Sequence, residues 1–160
     1  MSGLDQSQVD QAKVLLCDAD GSLFPSEEPA FDASTVVTNR FMAEHGSDVR
    51  FEPEPLRLAT TGKNFRTTIV DLADQHGIRF DPADLEYWVA EEKRVVSAHL
   101  GQVLRPDPEV QAAVAALGER YRLVIVSSSA LTRLDACLTA TGLATVFPAE
   151  IGRASCRERV

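Results

Sequence analysis

Two short stretches of the chain carry side chains that could do chemistry, and each directly follows an apolar run. Asp18 and Asp20 follow the run at 13–17, and three consecutive serines at 127–129 follow the run at 121–126. One carboxylate of such a pair can act as a nucleophile and the other as an acid/base. Carboxylate and carbonyl oxygens suit Mg²⁺, and a serine at a helix start can hold a phosphate. Without this context, Asp18 and Asp20 would be interpreted as a solvated turn with a helix cap.

The two apolar runs predict strands that would position these side chains. Both runs, 13–17 and 121–126, are short and continuous, which is typical of strands buried on both faces. In open α/β sheets, ligands bind at the carboxyl ends of the strands, where both polar stretches lie. About a hundred residues separate the runs. Because ordinary α/β connections are much shorter, we expect an inserted helical module between them, from about 30 to 100.

Apolar spacing and stop signals predict the helices of this module and of the core. The predicted helices cover residues 34–46, 63–76, 82 to about 100, 108 onward, and the segment after Ser129 to about 141. Residues 47–58 contain two prolines and predict a loop. For Ser129, a plain helix N-cap is the alternative to a chemical role.

The two polar stretches, taken with their surroundings, resemble the haloacid-dehalogenase-like (HAD) superfamily, especially its phosphatases with a small helical cap. The resemblance rests on the strings at 13–24, 123–129 and 142–147, and it spans residues 13–149. It implies an α/β fold, with a Rossmann-like parallel-sheet core that is incomplete at its C-terminus and an inserted all-helical cap. The implied core is formed by residues 1–28 and 102–150, and the implied cap by residues 29–101.

The resemblance also implies roles for individual residues. Asp18 matches the nucleophile that forms an aspartyl-phosphate, and Asp20 matches the acid/base. The Asp18 carboxylate and the Asp20 main-chain carbonyl would ligate Mg²⁺. Ser127 matches the hydroxyl that binds the transferring phosphoryl group, and Ser128 would add a backbone N–H. Ser22 stands where the superfamily usually has threonine, so the hydroxyl is kept.

The implied cap contains a polar, basic stretch that could bind substrate. Gly62, Lys63 and Arg66 lie in this stretch of an otherwise acidic protein. Related phosphatases often use such a cap loop to select a substrate, so either cation could meet an anionic group. A helix N-terminus with solvated cations explains the same residues equally well.

These observations favour a Mg²⁺-dependent phosphatase of small phosphorylated metabolites. A phosphomutase of the same superfamily is the nearest alternative. A phospho-receiver-type regulatory domain also places acidic residues and Ser or Thr at strand ends, but the hundred-residue gap is too long for one. A degenerate, binding-only member is a further alternative.

The last ten residues differ from the rest of the chain. Residues 151–160 contain three arginines against one glutamate, whereas the whole chain has a net charge of -8. Codons for these residues can reproduce a common sequencing adapter, so we expect residues 151–160 to be an adapter remnant. The superfamily also needs a later lysine and an acidic pair, which residues 150–160 do not supply. We therefore expect this chain to be inactive, marginally stable and prone to aggregate.

Composition excludes several other classes of protein. The 24 acidic residues against 16 basic ones argue against binding to nucleic acid. No apolar run approaches the roughly 18 residues of a membrane span, and the N-terminus lacks the pattern of a signal peptide. The three cysteines, Cys17, Cys137 and Cys156, are too scattered for a disulfide framework. We expect a cytoplasmic protein, monomeric or weakly dimeric, whose partner is a small phosphorylated metabolite.

Overall fold

The structure is a computed structural model that describes residues 14–147 together with the backbone of Gly152–Arg153. In chain order the elements are β1 (Val14–Cys17), α1 (Glu27–Glu44), α2 (Pro53–Ala59), α3 (Phe65–Gln75), α4 (Pro82–Val103), α5 (Pro108–Gly118), β2 (Arg122–Ser127), α6 (Leu131–Thr141) and β3 (Gly152–Arg153). The chain divides into two compact units. The described residues of the core unit are 14–25 and 104–147, and the helical unit is Ser26–Val103.

The core unit is built on a parallel sheet in the order β1-β2-β3. β1 pairs with β2 from Val14 opposite Arg122 to Cys17 opposite Ile125. A parallel pair needs a long crossover, and here the crossover contains the whole helical unit. The predicted class, an α/β sheet with an inserted helical module, is confirmed.

β1 lies at an edge of the sheet that the described residues form, and it is less buried than predicted. The run was predicted to be buried on both faces, yet the Leu16 side chain is 71% exposed and that of Val14 is 45% exposed. Both residues lie on the same face of the strand, because side chains alternate along a strand. In β2, by contrast, Ile125 is fully buried.

Capping residues fix the ends of the two helices in the core unit. The Asp107 carboxylate accepts hydrogen bonds from the backbone N–H groups of Glu109 and Val110, and Pro108 occupies the first turn of α5. At the end of α6, Gly142 adopts φ 71°, the left-handed conformation that favours glycine. A Cβ atom at Gly142 would also lie 2.6 Å from Nε2 of Gln111, so the end of the Gln111 side chain would have to move.

The helical unit has its own aromatic core. Phe41 on α1 contacts Trp88 on α4 edge to face, with ring centroids 5.7 Å apart. Phe41 also contacts Phe80 edge to face at the same distance. Around them lies an apolar cluster of Val37, Met42, Leu56, Ile69, Leu72 and Ala73. In the described part of the chain, no helix is both long enough and apolar enough to cross a membrane.

The helices differ from the predictions chiefly in three places. α1 begins at Glu27 instead of residue 34, and α2 begins within the predicted loop at 47–58 and ends one residue after it. α4 continues through Gly101 to Val103, although it was predicted to end before that glycine. Packing explains the last difference, because Leu100 and Leu104 on either side of the glycine are both buried.

The predicted adapter remnant contains β3. Gly152 and Arg153 lie opposite Val126 and Ser127, so they extend the sheet on the side of β2 away from β1. An open strand edge offers unpaired N–H and C=O groups to any nearby segment. The origin of residues 151–160 stays a prediction, and residues 154–160 lie outside the described residues.

Candidate active site

The parallel register brings the two predicted polar stretches to the same edge of the sheet. Cys17 and Ile125 are partners, so the residues that follow them leave the sheet side by side. Asp18 directly follows β1 and is exposed, whereas Ser127 is the last residue of β2 and is buried. The described structure therefore has a candidate site at the carboxyl ends of the strands, where ligands bind in open α/β sheets.

A tight turn after β1 carries Asp18 and Asp20. The backbone N–H groups of Ser22 and Leu23 both donate to the carbonyl of Ala19, and Gly21 has φ 74°. That positive φ is the reason for glycine in the pattern, since other residues adopt it at a cost. The Ser22 hydroxyl donates to Oδ2 of Asp18 at 3.3 Å, which leaves this exposed carboxylate only lightly held.

Asp20, in contrast, is held at both carboxylate oxygens. The Ser129 hydroxyl donates to Oδ2 at 2.6 Å, and Nη2 of Arg133 donates to Oδ1 at 3.1 Å. The side chains of Asp20 and Arg133 are 21% and 27% exposed, so their ion pair is largely shielded from water. The structure thus gives the two carboxylates different environments: Asp18 is exposed, and Asp20 is paired.

The three serines also differ from one another. The Ser127 hydroxyl accepts a hydrogen bond from the backbone N–H of Ser129 at 3.0 Å, which closes a short turn. Ser128 is exposed. The alternative of Ser129 as the N-cap of α6 is wrong, because the N-cap is Ala130. The Ser129 side chain contacts Asp20 instead.

Arg133 was not predicted as a site residue. It lies in the first turn of α6, four positions after Ser129. That spacing is a weak signal, because many helices carry an arginine in the first turn. Its Nε atom is buried, and within the described residues it has no hydrogen-bond partner.

The two cysteines of the described core unit are both held as thiols. Burial raises the pKa of Cys137 to about 11, with a further contribution from the negative charge of Asp20, while the charge of Arg133 acts in the opposite direction. Burial also raises the pKa of Cys17. A high pKa keeps a thiol protonated and unreactive, so neither is a candidate nucleophile.

The donor atoms suit Mg²⁺ in part. Asp18 is exposed and accepts one long hydrogen bond, so its oxygens can reach a cation. The Asp20 carboxylate is directed to Ser129 and Arg133, so Asp20 would ligate Mg²⁺ through its main-chain carbonyl only. In residues 14–147, no cluster of three or more His, Cys, Asp or Glu side chains could hold a metal. Mg²⁺ tolerates this, since it is often bound by one or two carboxylates plus waters and substrate phosphate.

The predicted substrate-binding residues Gly62, Lys63 and Arg66 lie in the helical unit. Gly62 has φ 80° and open space around its Cα atom. Nζ of Lys63 lies 2.6 Å from Oδ2 of Asp71, and Nη2 of Arg66 lies 2.8 Å from Oε2 of Glu86. Each cation is thus paired within its own unit, and a substrate anion would have to compete with a carboxylate for it.

Comparisons with known proteins identify the fold. No protein-family model matches the chain, and no curated protein sequence matches it. Several solved structures do match, and their names describe haloacid-dehalogenase-like proteins. The chain has the haloacid-dehalogenase-like fold, as the sequence motifs predicted.

Three of the similar structures indicate the breadth of this group. A protein from Haemophilus somnus, provisionally assigned as a phosphoglycolate phosphatase, is 18% identical with a TM-score of 0.66 over 94% of this chain and 66% of its own. A protein from Thermotoga maritima, provisionally assigned as a beta-phosphoglucomutase, is 22% identical with a TM-score of 0.60, and the match covers 84% of this chain and 58% of that protein. CbbY from Rhodobacter sphaeroides, solved with phosphate, is 18% identical with a TM-score of 0.63 over 86% and 61%. The chain therefore spans 58–66% of the length of these proteins.

Proposed function

We propose that the protein is a Mg²⁺-dependent phosphohydrolase of small phosphorylated metabolites that works through an aspartyl-phosphate. One observation carries the proposal. The turn with Asp18 and Asp20 meets the serine turn after β2, as the 2.6 Å hydrogen bond between Asp20 and Ser129 demonstrates. Two carboxylates and hydroxyl groups at one strand edge are the groups that such a reaction needs.

Asp18 is the proposed nucleophile because it is the exposed carboxylate of the pair. Its oxygen attacks phosphorus, a new oxygen–phosphorus bond forms, and the bond to the leaving oxygen breaks. A phosphoryl dianion repels a carboxylate, so Mg²⁺ would supply the positive charge that offsets this repulsion. The backbone N–H of Ser128 and the hydroxyl of Ser127 would hold the phosphoryl oxygens.

Asp20 is the proposed acid/base because it is the carboxylate with a fixed orientation. In the first step it gives a proton to the leaving oxygen. In the second step it takes a proton from water, which attacks phosphorus and releases inorganic phosphate. Asp18 is thereby regenerated, and Asp20 is protonated for the next cycle.

The activity is proposed for the whole protein, and Asp18→Asn tests it. The source DNA would be read past codon 150, and the longest encoded protein would be assayed for phosphate release with and without Mg²⁺. We expect Mg²⁺-dependent release, and we expect Asp18→Asn to lower it on the order of 10³-fold or more. Asp74→Asn is the matched control, because Asp74 is an exposed carboxylate on α3. Release that Asp18→Asn leaves unchanged would refute the proposal.

The 160-residue chain is proposed to be inactive by itself. Its lysines are Lys13, Lys63 and Lys93, and the two that are described lie in the helical unit. A lysine beside the phosphoryl group and an acidic pair around Mg²⁺ would therefore have to come from elsewhere. Phosphate release by this chain, equal to that of a longer protein, would contradict this part of the proposal.

A phosphomutase is the second candidate function. The similarity to the protein from Thermotoga maritima favours it, and hydrolase and mutase share the same first step. The two differ in the acceptor of the phosphoryl group, which is water in one and a sugar hydroxyl in the other. Inorganic phosphate released from a sugar phosphate indicates the hydrolase, and an isomeric sugar phosphate indicates the mutase. A protein that binds such a substrate without turning it over is the binding-only alternative.

A reduced cytoplasmic setting and a monomeric or weakly dimeric state are part of the same proposal. In the described residues, Cys17 and Cys137 are both free thiols, which suits a reducing compartment. Size-exclusion chromatography with light scattering would test the oligomeric state directly.

A further inference from the structure

We infer that Arg133 is a positioning residue, whose guanidinium aims the Asp20 carboxyl group at the leaving oxygen of the substrate. The inference rests on the proposed function, in which Asp20 gives that oxygen a proton. It adds to the reaction a residue from α6 that none of the sequence motifs contains.

The geometry at Asp20 carries the inference. Nη2 of Arg133 donates to Oδ1, and the Ser129 hydroxyl donates to Oδ2. Both donors come from the start of α6 or the turn before it. Two donors on opposite oxygens fix the rotation of the carboxyl group about its last bond, so α6 and the turn before it determine its direction.

The surroundings of Arg133 explain why an arginine occupies this position. Its side chain is only 27% exposed, and its buried Nε lacks a hydrogen-bond partner within the described residues. Placing a guanidinium here has a desolvation cost that an apolar side chain would avoid. The contact with Asp20 offsets that cost, because a charge-assisted hydrogen bond is roughly twice as strong as a neutral one.

A positioning role predicts a specific pattern of catalytic loss. A poor leaving group, such as the alkoxide of an alkyl phosphate, needs its proton during bond cleavage. A good one, such as p-nitrophenolate, needs it far less. A carboxyl group that is no longer aimed therefore slows the first substrate more than the second. A general loss of folded protein would lower both rates equally.

The kinetic test compares ethyl phosphate with p-nitrophenyl phosphate in the full-length protein. We expect Arg133→Met to lower kcat/KM, which reports the first step alone, about tenfold more for ethyl phosphate than for p-nitrophenyl phosphate. Arg133→Lys should show a smaller difference between the two substrates than Arg133→Met, because lysine keeps the positive charge although it lacks the planar fork of the guanidinium. Arg57→Met is the control, since Arg57 pairs with Glu54 on the surface of the helical unit and should show no difference between the substrates.

Equal losses on both substrates would overturn the inference while leaving the proposed function intact. No phosphate release by the wild-type protein would instead overturn the proposed function, and the positioning role with it.

A second measurement tests the contact without any turnover. The melting temperatures of Asp20→Ala, Arg133→Met and the double variant would be compared with that of the wild-type chain. We expect the decrease in melting temperature of the double variant to be smaller than the sum of the two single decreases, by about 2 °C or more. The reason is that either single substitution already abolishes the contact between the two side chains. Additive losses would show that the two side chains do not interact in solution, and this too would overturn the inference.

Discussion

The Ser129 hydroxyl lies 2.6 Å from Oδ2 of Asp20, although the two residues are 109 positions apart in the sequence. The bond joins the turn after β1 to the turn after β2, so it ties together the two strand ends of the core unit. Because one partner is a carboxylate and the other is a small hydroxyl group in a partly buried position, the bond stabilises the fold as well as orienting Asp20.

Ser129→Ala is therefore expected to lower the free energy of unfolding of the core unit by about 1–2 kcal/mol, since it removes a hydrogen bond to a partly buried carboxylate. Urea unfolding followed by circular dichroism would measure this loss. Ser128→Ala is the matched control, because Ser128 is the exposed neighbour and its removal should change stability by less than about 0.5 kcal/mol. Equal effects of the two substitutions would show that the bond contributes nothing specific.

Glu91 on α4 should make the helical unit sensitive to acid. Hydrogen bonds from Arg94 and Arg40 lower the pKa of Glu91 from 4.5 to about 2. A carboxyl group whose pKa is lower in the folded state stabilises the protein above its unfolded pKa, and this contribution is lost as the pH falls. We therefore expect a stabilisation that is complete above about pH 5 and disappears between pH 4.5 and pH 2.

The test is Glu91→Gln, with unfolding measured as a function of pH. The variant should be less stable than the wild type at pH 7, and the difference between them should shrink as the pH falls through this window. Glu54→Gln is the control, because Glu54 also pairs with an arginine but is exposed to solvent, where such pairs contribute little. A difference that stays constant from pH 7 to pH 2 would contradict the assigned contacts.

Several elements were predictable because their signals are local. Asp107 followed by Pro108 starts α5, and Gly142 ends α6 in the left-handed conformation, as their residue types predict. The two strands were also predicted within one residue. Each of these signals comes from the backbone preferences of neighbouring residues, and tertiary packing did not change the result.

The wrong boundaries have physical reasons that a sequence pattern does not contain. α2 begins with Pro53 and includes Pro55, which were interpreted as loop residues. Prolines are tolerated in the first turn of a helix, because the N–H groups there have no helical acceptor. The first turns of α1 bury Ala30 and Ala33, whose small side chains give only a weak apolar period.

The candidate site was predictable only in part, because its contacts join distant segments. The motifs identified Asp18, Asp20 and Ser127 from their positions at strand ends. They did not reveal that the Ser129 side chain contacts Asp20 instead of capping α6. They also did not reveal that Arg133 contacts Asp20. These partners depend on the register of β1 against β2, and no local pattern specifies that register.

Cys137 should be almost unreactive in the folded protein. Its pKa rises from 9.0 to about 11, chiefly through burial and secondarily through the charge of Asp20. Two pKa units correspond to about a hundredfold lower fraction of thiolate, which is the reactive form. Iodoacetamide labelling at pH 8, measured on the Cys137 peptide by mass spectrometry, should therefore be at least about a hundredfold slower in native buffer than in 8 M urea, because the thiol is also fully buried. Comparable rates in both solvents would show that the thiol is accessible and α6 is not packed as described.

Trp88 should be the side chain on which the helical unit depends most. It is 1% exposed, its ring meets the edge of Phe41, and the guanidinium of Arg40 lies 5.7 Å from its ring centroid. Trp88→Ala removes the largest buried side chain of the unit and is expected to cost about 3–5 kcal/mol, a large fraction of the stability of a typical domain. Trp88→Phe should cost less, because a ring remains against Phe41.

Leu58→Ala is the control, since Leu58 is 63% exposed on α2 and its truncation should have little effect. Urea unfolding followed by circular dichroism at 222 nm would rank the three variants, and a loss for Leu58→Ala as large as that for Trp88→Ala would contradict the described core.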